Sequence, residues 1–133
     1  MKRLLAVILA LAGCSPAVPE LKILTWPDYF AKTTLAAFEK EAHCRVKVDY
    51  IESSETLRTK LEGGVSGYDV VFPSDEVVTF LVAKGLLEPL ELPKIPNFRN
   101  IDARFKGLVF DPKNAHSVPY MTGTTGIAYD VDK

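Results

Sequence analysis

Three times in succession, a short stretch of strand period gives way to a longer stretch of helical period. Glu20 to Trp26 alternates, with Leu21, Ile23 and Thr25 on one side, as a strand does. Pro27 and Asp28 break it, and Asp28 is a candidate helix N-cap. From Tyr29 to His43, residues Phe30, Thr34, Ala37, Phe38 and Ala42 recur at spacings of three to four. That predicts a helix with one stripe against a sheet. Arg45 to Ile51 alternates again, with Val46, Val48 and Tyr50 inward and Lys47 and Asp49 outward. Ser53 or Ser54 caps a short helix in which Leu57 and Leu61 pair, and Gly63-Gly64 stops it. A buried strand over Tyr68 to Phe72, with its core from Asp69, ends at Pro73. Ser74 then caps a helix from Asp75 to Lys84 that buries Val77, Val78, Phe80 and Leu81 and stops at Gly85. This order predicts an α/β fold with a mostly parallel sheet flanked by helices.

Past Glu88 the pattern changes. Pro89, Pro93, Pro96, Asn97 and Pro112 punctuate the chain and the apolar residues lose their period. The expectation is a long surface connection with one helical turn near Ile101–Phe105; such a length is usually functional or marks a larger assembly. Ser117 to Met121 and Gly126 to Tyr129 read as two further short strands. The sequence stops at Lys133, directly after Asp130-Val131-Asp132, which reads as the approach to more protein.

The 133 residues suit one domain or part of a larger one. A 47% hydrophobic and 25% charged composition is that of a folded chain rather than a disordered one. The net charge of −1 gives no basic patch of the kind nucleic acid requires. Residues 1–14 read as targeting: Lys2 and Arg3 are a positive n-region and Leu4 to Ala12 an apolar h-region too short for a membrane helix. The end, Leu11-Ala12-Gly13-Cys14, resembles a bacterial lipoprotein signal in which Cys14 is acylated; an ordinary secretory signal with a chance cysteine is the alternative. On the lipoprotein reading, acyl chains hold the protein on the outer face of a membrane or in the periplasm. Residues 15–19 are then a tether and 20–133 the folded lobe. Cys44 is left without a partner and is expected to be a packing residue.

Catalytic signatures are absent from the sequence. It holds neither a Gly-x-Ser-x-Gly elbow nor a phosphate-binding glycine loop, and Gly123-Thr124-Thr125-Gly126 is not a nucleophile motif. His43 and His116 lie far apart and lack metal spacing; the first suits a helix C-terminus and the second a loop. No cofactor or metal is expected. The strand-to-helix corners instead carry Trp26, Pro27, Asp28 and Tyr29, then Ser74, Asp75 and Glu76, and a third edge carries Tyr120. Such corners at the carboxyl edge of an α/β sheet are where ligands sit. An anion there would meet like charge, whereas an organic cation could pair with carboxylates and lie on aromatic faces, each such contact worth ~0.5–2 kcal/mol. The plain alternative is that the acids complement helix dipoles and the rings belong to the core.

Five stretches resemble the spermidine/putrescine-binding proteins of bacterial ABC importers. They are the leader, Leu24-Thr25-Trp26-Pro27-Asp28-Tyr29, Tyr50-Ile51-Glu52-Ser53-Ser54-Glu55-Thr56-Leu57, Tyr68-Asp69-Val70-Val71-Phe72-Pro73-Ser74 and Val118-Pro119-Tyr120-Met121-Thr122-Gly123-Thr124-Thr125-Gly126-Ile127. The resemblance implies a periplasmic-binding-protein-like (type II) lobe, truncated before the second lobe. By motif, Trp26 and Tyr29 match the family's aromatic box, with Pro27 and Asp28 between them, and Ser74 matches its helix-opening serine. Glu76 departs from the tyrosine the family often has there. The implied partners are a polyamine, a membrane permease and, through Cys14, a membrane surface. The implied role is extracytoplasmic binding without catalysis, incomplete without the second lobe. Other readings are a binding protein for another solute, a fragment that binds nothing and, against the missing motifs, an exported enzyme.

Overall fold

A central strand of a parallel sheet is paired along both edges and covered by crossover helices on its faces, and the first strand of this chain is in that position. The structure is a computed structural model that describes residues 17–64, 67–124 and 126–131. The expected leader over residues 1–14, with Cys14, lies outside the described residues. Strand β1 (Glu20–Thr25) is followed by helix α1 (Lys32–Ala42), β2 (Arg45–Tyr50), α2 (Ser54–Glu62), β3 (Val70–Val71) and α3 (Asp75–Ala83). The sheet order is β2-β1-β3. Both pairings are parallel, with Ile23 opposite Val48 on one side and Val70 on the other. Ile23, Leu24 and Thr25 are consequently all buried, where a half-buried strand would alternate.

The chain moves from β1 outward to β2, then back across β1 to β3. The right-handed rule for such crossovers assigns α1 and α2 to opposite faces. The core lies on the α2 face. Leu24, Ile51, Leu57, Val77 and Leu81 form one cluster, against which Trp26, Leu61, Tyr68, Val71, Phe80 and Leu87 pack. Ser53 is the cap of α2, its Oγ accepting from Thr56 N–H at 3.0 Å. Gly64, with φ of 70°, follows its end in a conformation that a side chain resists.

Several expectations change. Helix α1 starts at Lys32 rather than Tyr29, with Ala31 at the N-cap and no side-chain cap bond. Asp28 is not a cap: it sits at φ of 61°, a left-handed turn that aspartate tolerates better than most residues. The turn frees Tyr29 and Phe30 to pack against other rings. The expected stripe of α1 is exposed, Phe38 included; its half-buried residues are Leu35 and Glu39, and Glu39 Oε1 accepts from Val46 N–H at 2.8 Å. Tyr50 is exposed rather than inward, because β2 is an edge strand and Tyr50 is its last residue. Half-buried Asp49, by contrast, accepts from the Tyr68 hydroxyl at 2.8 Å. The third strand is shorter than expected, although Asp69 N–H to Lys22 O and Phe72 N–H to Leu24 O, both 2.9 Å, carry the ladder one residue further each way.

The connection after Glu88 holds three short 3-10 turns, Leu92–Lys94, Pro96–Asn100 and Ala103–Phe105, where one was expected. The strands expected at Ser117–Met121 and Gly126–Tyr129 form no ladder among the described residues. A strand needs a neighbour to pair with, and none of the three strands of the sheet pairs with either stretch. Ile127 and Tyr129 are 92% and 79% exposed, so the apolar pattern there is not answered by burial in this lobe.

One loop is held tightly. The buried Asp111 carboxylate accepts from Ala115 N–H (2.9 Å), His116 N–H (2.9 Å), Ser117 N–H (2.8 Å) and Ser117 Oγ (2.8 Å). Burial pushes its carboxyl up, but the donors on His116, Ser117 and Ala115 outweigh that and hold it below the ordinary aspartate value. A depressed carboxylate stabilises the fold above its unfolded pKa of about 3.9, and that contribution fades as pH falls through the lower folded value. In an NMR acid titration, the amide signals of Ala115, His116 and Ser117 move together with a midpoint below the free aspartate value; a midpoint at or above it contradicts the assignment. Leu57, fully buried, loses about 2–5 kcal/mol of stability on replacement by alanine. In urea denaturation Leu57→Ala falls well below Phe38→Ala, whose ring is 43% exposed.

Candidate functional site

In a parallel sheet all strands end on the same side, so the segments after Thr25, Tyr50 and Val71 share one edge. β1 and β3 are adjacent there, yet the chain leaves β1 toward one flank and reaches β3 from the other. That is a topological switch point, where α/β sheets open a crevice.

Four rings gather at it. Phe72, just past β3, meets Phe30 at 5.1 Å between centroids and 83°, Tyr120 at 5.1 Å and 76°, and Tyr29 at 6.3 Å and 89°. It is therefore edge-on to three partners, an arrangement worth about 0.5–1.5 kcal/mol per pair beyond burial. Tyr120 lies 5.8 Å from Tyr29 and 5.7 Å from Phe30, tilted by 36° and 38°. The Tyr120 hydroxyl donates to the Tyr29 carbonyl at 2.6 Å across 91 residues of sequence. The Trp26 indole N–H donates to the Phe72 carbonyl at 2.9 Å, and its ring packs on the core cluster. The first corner, the third corner and the late edge thus converge, as the sequence led one to expect for Trp26, Tyr29 and Tyr120.

The acidic residues divide. Asp28, beside Pro27 on the exposed turn, makes no hydrogen bond or ion pair among the described residues. Exposed Asp75 accepts through Oδ1 from Glu76 N–H at 2.9 Å. Ser74 does occupy the N-cap of α3, but its hydroxyl makes no cap bond and instead meets Ser54 Oγ at 3.2 Å. Glu76 lines a different hollow, between the starts of α2 and α3. That hollow measures about 210 Å³ and is lined by Ser54, Glu55, Arg58, Glu76, Val77 and Phe80. Arg58 stacks on Phe80 with its guanidinium carbon 3.8 Å from the ring centre. The site therefore has two parts, a ring wall at the switch point and an acidic groove at the helix starts, joined through Pro73.

Sequence reasoning missed Phe30 and Phe72 in the wall and Ser54, Glu55 and Phe80 in the groove. A signal existed for Phe72: an aromatic residue closing a strand immediately before Pro73 must lie at the sheet edge. For Phe30 the misplaced start of α1 hid it. Among the described residues no group of histidine, cysteine, aspartate or glutamate side chains is arranged to hold a metal ion. The chemistry on offer is noncovalent: flat ring faces, hydroxyls and carboxylates in reach of water.

One prediction concerns the tie between the corners. Trp26→Phe keeps a ring but removes the donor to the Phe72 carbonyl. It should cost about 1 kcal/mol in denaturation, the usual net worth of such a bond. No loss at all would mean that the indole N–H does not hold the two corners together.

Residues 33–133 match the profile of bacterial extracellular solute-binding proteins. A putrescine/agmatine-binding protein of Pseudomonas aeruginosa is 42% identical over 119 residues, covering 88% of this chain and 32% of that one. The putrescine-binding periplasmic protein PotF of Escherichia coli is 42% identical over 115 residues, covering 85% and 31%. Among solved structures, a putative spermidine/putrescine ABC transporter protein of Listeria monocytogenes superposes with a TM-score of 0.73 at 37% identity, over 76% of this chain and 31% of that one. The Tp0655 lipoprotein of Treponema pallidum gives 0.72 at 36% identity, over 77% and 32%. The chain spans about a third of the length of the curated relatives it matches. Its fold is periplasmic-binding-protein-like, and the chain belongs to the bacterial extracellular solute-binding protein family.

Proposed function

We propose that this chain is the N-terminal lobe of an extracytoplasmic polyamine-binding protein that serves an ABC importer. The observation that carries the reading is the ring wall at the β1/β3 switch point with unpaired carboxylate beside it. An alkyl diamine has two ammonium ends and an apolar middle. The middle lies against Trp26, Tyr29 and Tyr120, and the ends meet Asp28 or Asp75, with Pro27 and Ser74 shaping the corners. A cation over a ring face contributes ~0.5–2 kcal/mol, and the acidic rim repels anions of the same size. Binding is noncovalent and needs no cofactor.

Relatives named for putrescine without spermidine are 35–42% identical to this chain, and those named for spermidine and putrescine together 33–34%. That supports putrescine as the first ligand to test, ahead of spermidine. In a two-lobed relative, contacts that exist only on closure favour the closed form, and the closed form presents itself to a membrane permease. One lobe supplies only part of those contacts, so its own affinity is weak. The sequence of residues 1–14, with Cys14 as the acylated residue, supports a lipid anchor on the outer face of a membrane, and the Treponema pallidum relative is itself titled a lipoprotein.

Trp26 is the single tryptophan and its indole N–H is bonded to the Phe72 carbonyl, so its emission reports on the wall it adjoins. Titration with putrescine should change that emission and saturate in the millimolar range, roughly −4 kcal/mol. Malonate and glucose should leave it unchanged. A response to malonate, or none to putrescine at saturating concentration, would sink the polyamine reading.

A further inference from the structure

We infer that Asp111, buried and nine residues before Tyr120, is the positioning residue that sets Tyr120 in the ring wall. Residues 117–124 have no strand pairing among the described residues, so a ladder does not place Tyr120. What precedes it does. Asp111 Oδ2 takes both the N–H and the hydroxyl of Ser117, each at 2.8 Å, and the N–H of His116 at 2.9 Å. Buried Asn114 forms a second bracket: its Oδ1 accepts from Gly107 N–H at 2.9 Å and its Nδ2 donates to the Ser117 carbonyl at 3.4 Å. The bracketed loop is tied to the body where Leu90 N–H donates to the Ala115 carbonyl at 2.6 Å.

Ser117 is thus fixed at its N–H, its hydroxyl and its carbonyl. From there Tyr120 is three residues away, roughly 10 Å of extended chain. Pro119 locks its own φ and restricts Val118 to extended backbone, so that span has few directions open to it. It delivers Tyr120 to the Tyr29 carbonyl and to the edge of Phe72. Asp111 touches none of these rings in any recorded hydrogen bond or ring contact; it acts through the chain. A buried carboxylate is costly unless its lone pairs are filled, and here all the donors that fill them belong to residues 115–117, the segment that must be aimed.

The test needs no ligand in its first arm. In Asp111→Asn the amide group turns a donor toward N–H and O–H groups that need an acceptor. Proton NMR contacts between the Tyr120 and Phe72 rings should disappear, while the Ile51 amide, bonded to Thr25 O at 2.9 Å, keeps its protection from exchange. If Asp111→Asn unfolds the sheet, Ser117→Ala decides, since it removes one of the four bonds: the ring contacts should weaken with the sheet intact. Ring contacts unchanged in the variant that folds overturn the inference. The second arm rests on the polyamine reading. Putrescine should bind Asp111→Asn and Tyr120→Ala each several-fold more weakly than the parent, and the double variant no more weakly than Tyr120→Ala alone. Additive losses would mean that Asp111 does not act through Tyr120 and would overturn the inference. A parent chain that ignores putrescine removes the polyamine reading, and the ring contacts then judge the inference by themselves.

Discussion

Parallel pairing of β1 with both neighbours is the constraint from which the rest follows. Glu20 opposite Arg45 and Ile23 opposite Val70 fix all three strands in one direction, so their carboxyl ends share an edge. Because β2 and β3 flank β1, the chain must reverse its lateral direction, and the reversal leaves a crevice between β1 and β3. Slip either register by one residue and Leu24 would leave the core cluster for the opposite face. The corners would then lose their footing together.

What fills the crevice is held by two polar ties of long sequence reach and a set of ring edges. The indole N–H of Trp26 joins the first corner to the third, and the Tyr120 hydroxyl joins the late edge to the first. Neither tie is worth more than about 1–2 kcal/mol alone. Both are preorganised, by the packed core beneath Trp26 and by the Asp111 loop behind Ser117. Asp28 stands on a left-handed turn, free of internal partners among the described residues, and so is open to a partner from outside. The groove between α2 and α3 differs in kind: Arg58 lies on Phe80 and makes a 3.6 Å ion pair with Glu62, so part of its charge is already answered.

Much of this was legible in the residues. The alternation of strand and helix period through 20–85 gives the order of the six elements, with turn residues marking where one period gives way to the next. Ser53, Gly64 and Gly85 punctuate where their conformations demand. Trp26, Tyr29 and Tyr120 were placed at edges because Pro27, Pro73 and Pro119 stand beside the edges they mark. The start of α1 was misplaced because Asp28 has the chemistry of a cap, and only the packing of Tyr29 and Phe30 on Phe72 decides that it is a turn instead. Sequence adjacency to Ser74 groups Glu76 with the rings, but two residues are little more than half a helical turn and place it in the lining of the neighbouring groove. The strands expected after Ser117 carry a genuine apolar pattern at Val118, Met121, Ile127 and Tyr129. Periodicity reports what a segment is suited to pair with, not whether a partner lies beside it. The Asp111 loop had no period to read at all, being held by side chain to backbone bonds among residues six apart or fewer.

The central claim is that the ring wall at the switch point, rather than the groove between the helices, receives the ligand. Contacts between putrescine methylene protons and aromatic ring protons, measured by isotope-edited NMR at saturating diamine, address it directly. Cross-peaks to Trp26, Tyr29 and Tyr120 are the predicted result. Cross-peaks confined to Phe80, or none to any ring, would contradict it.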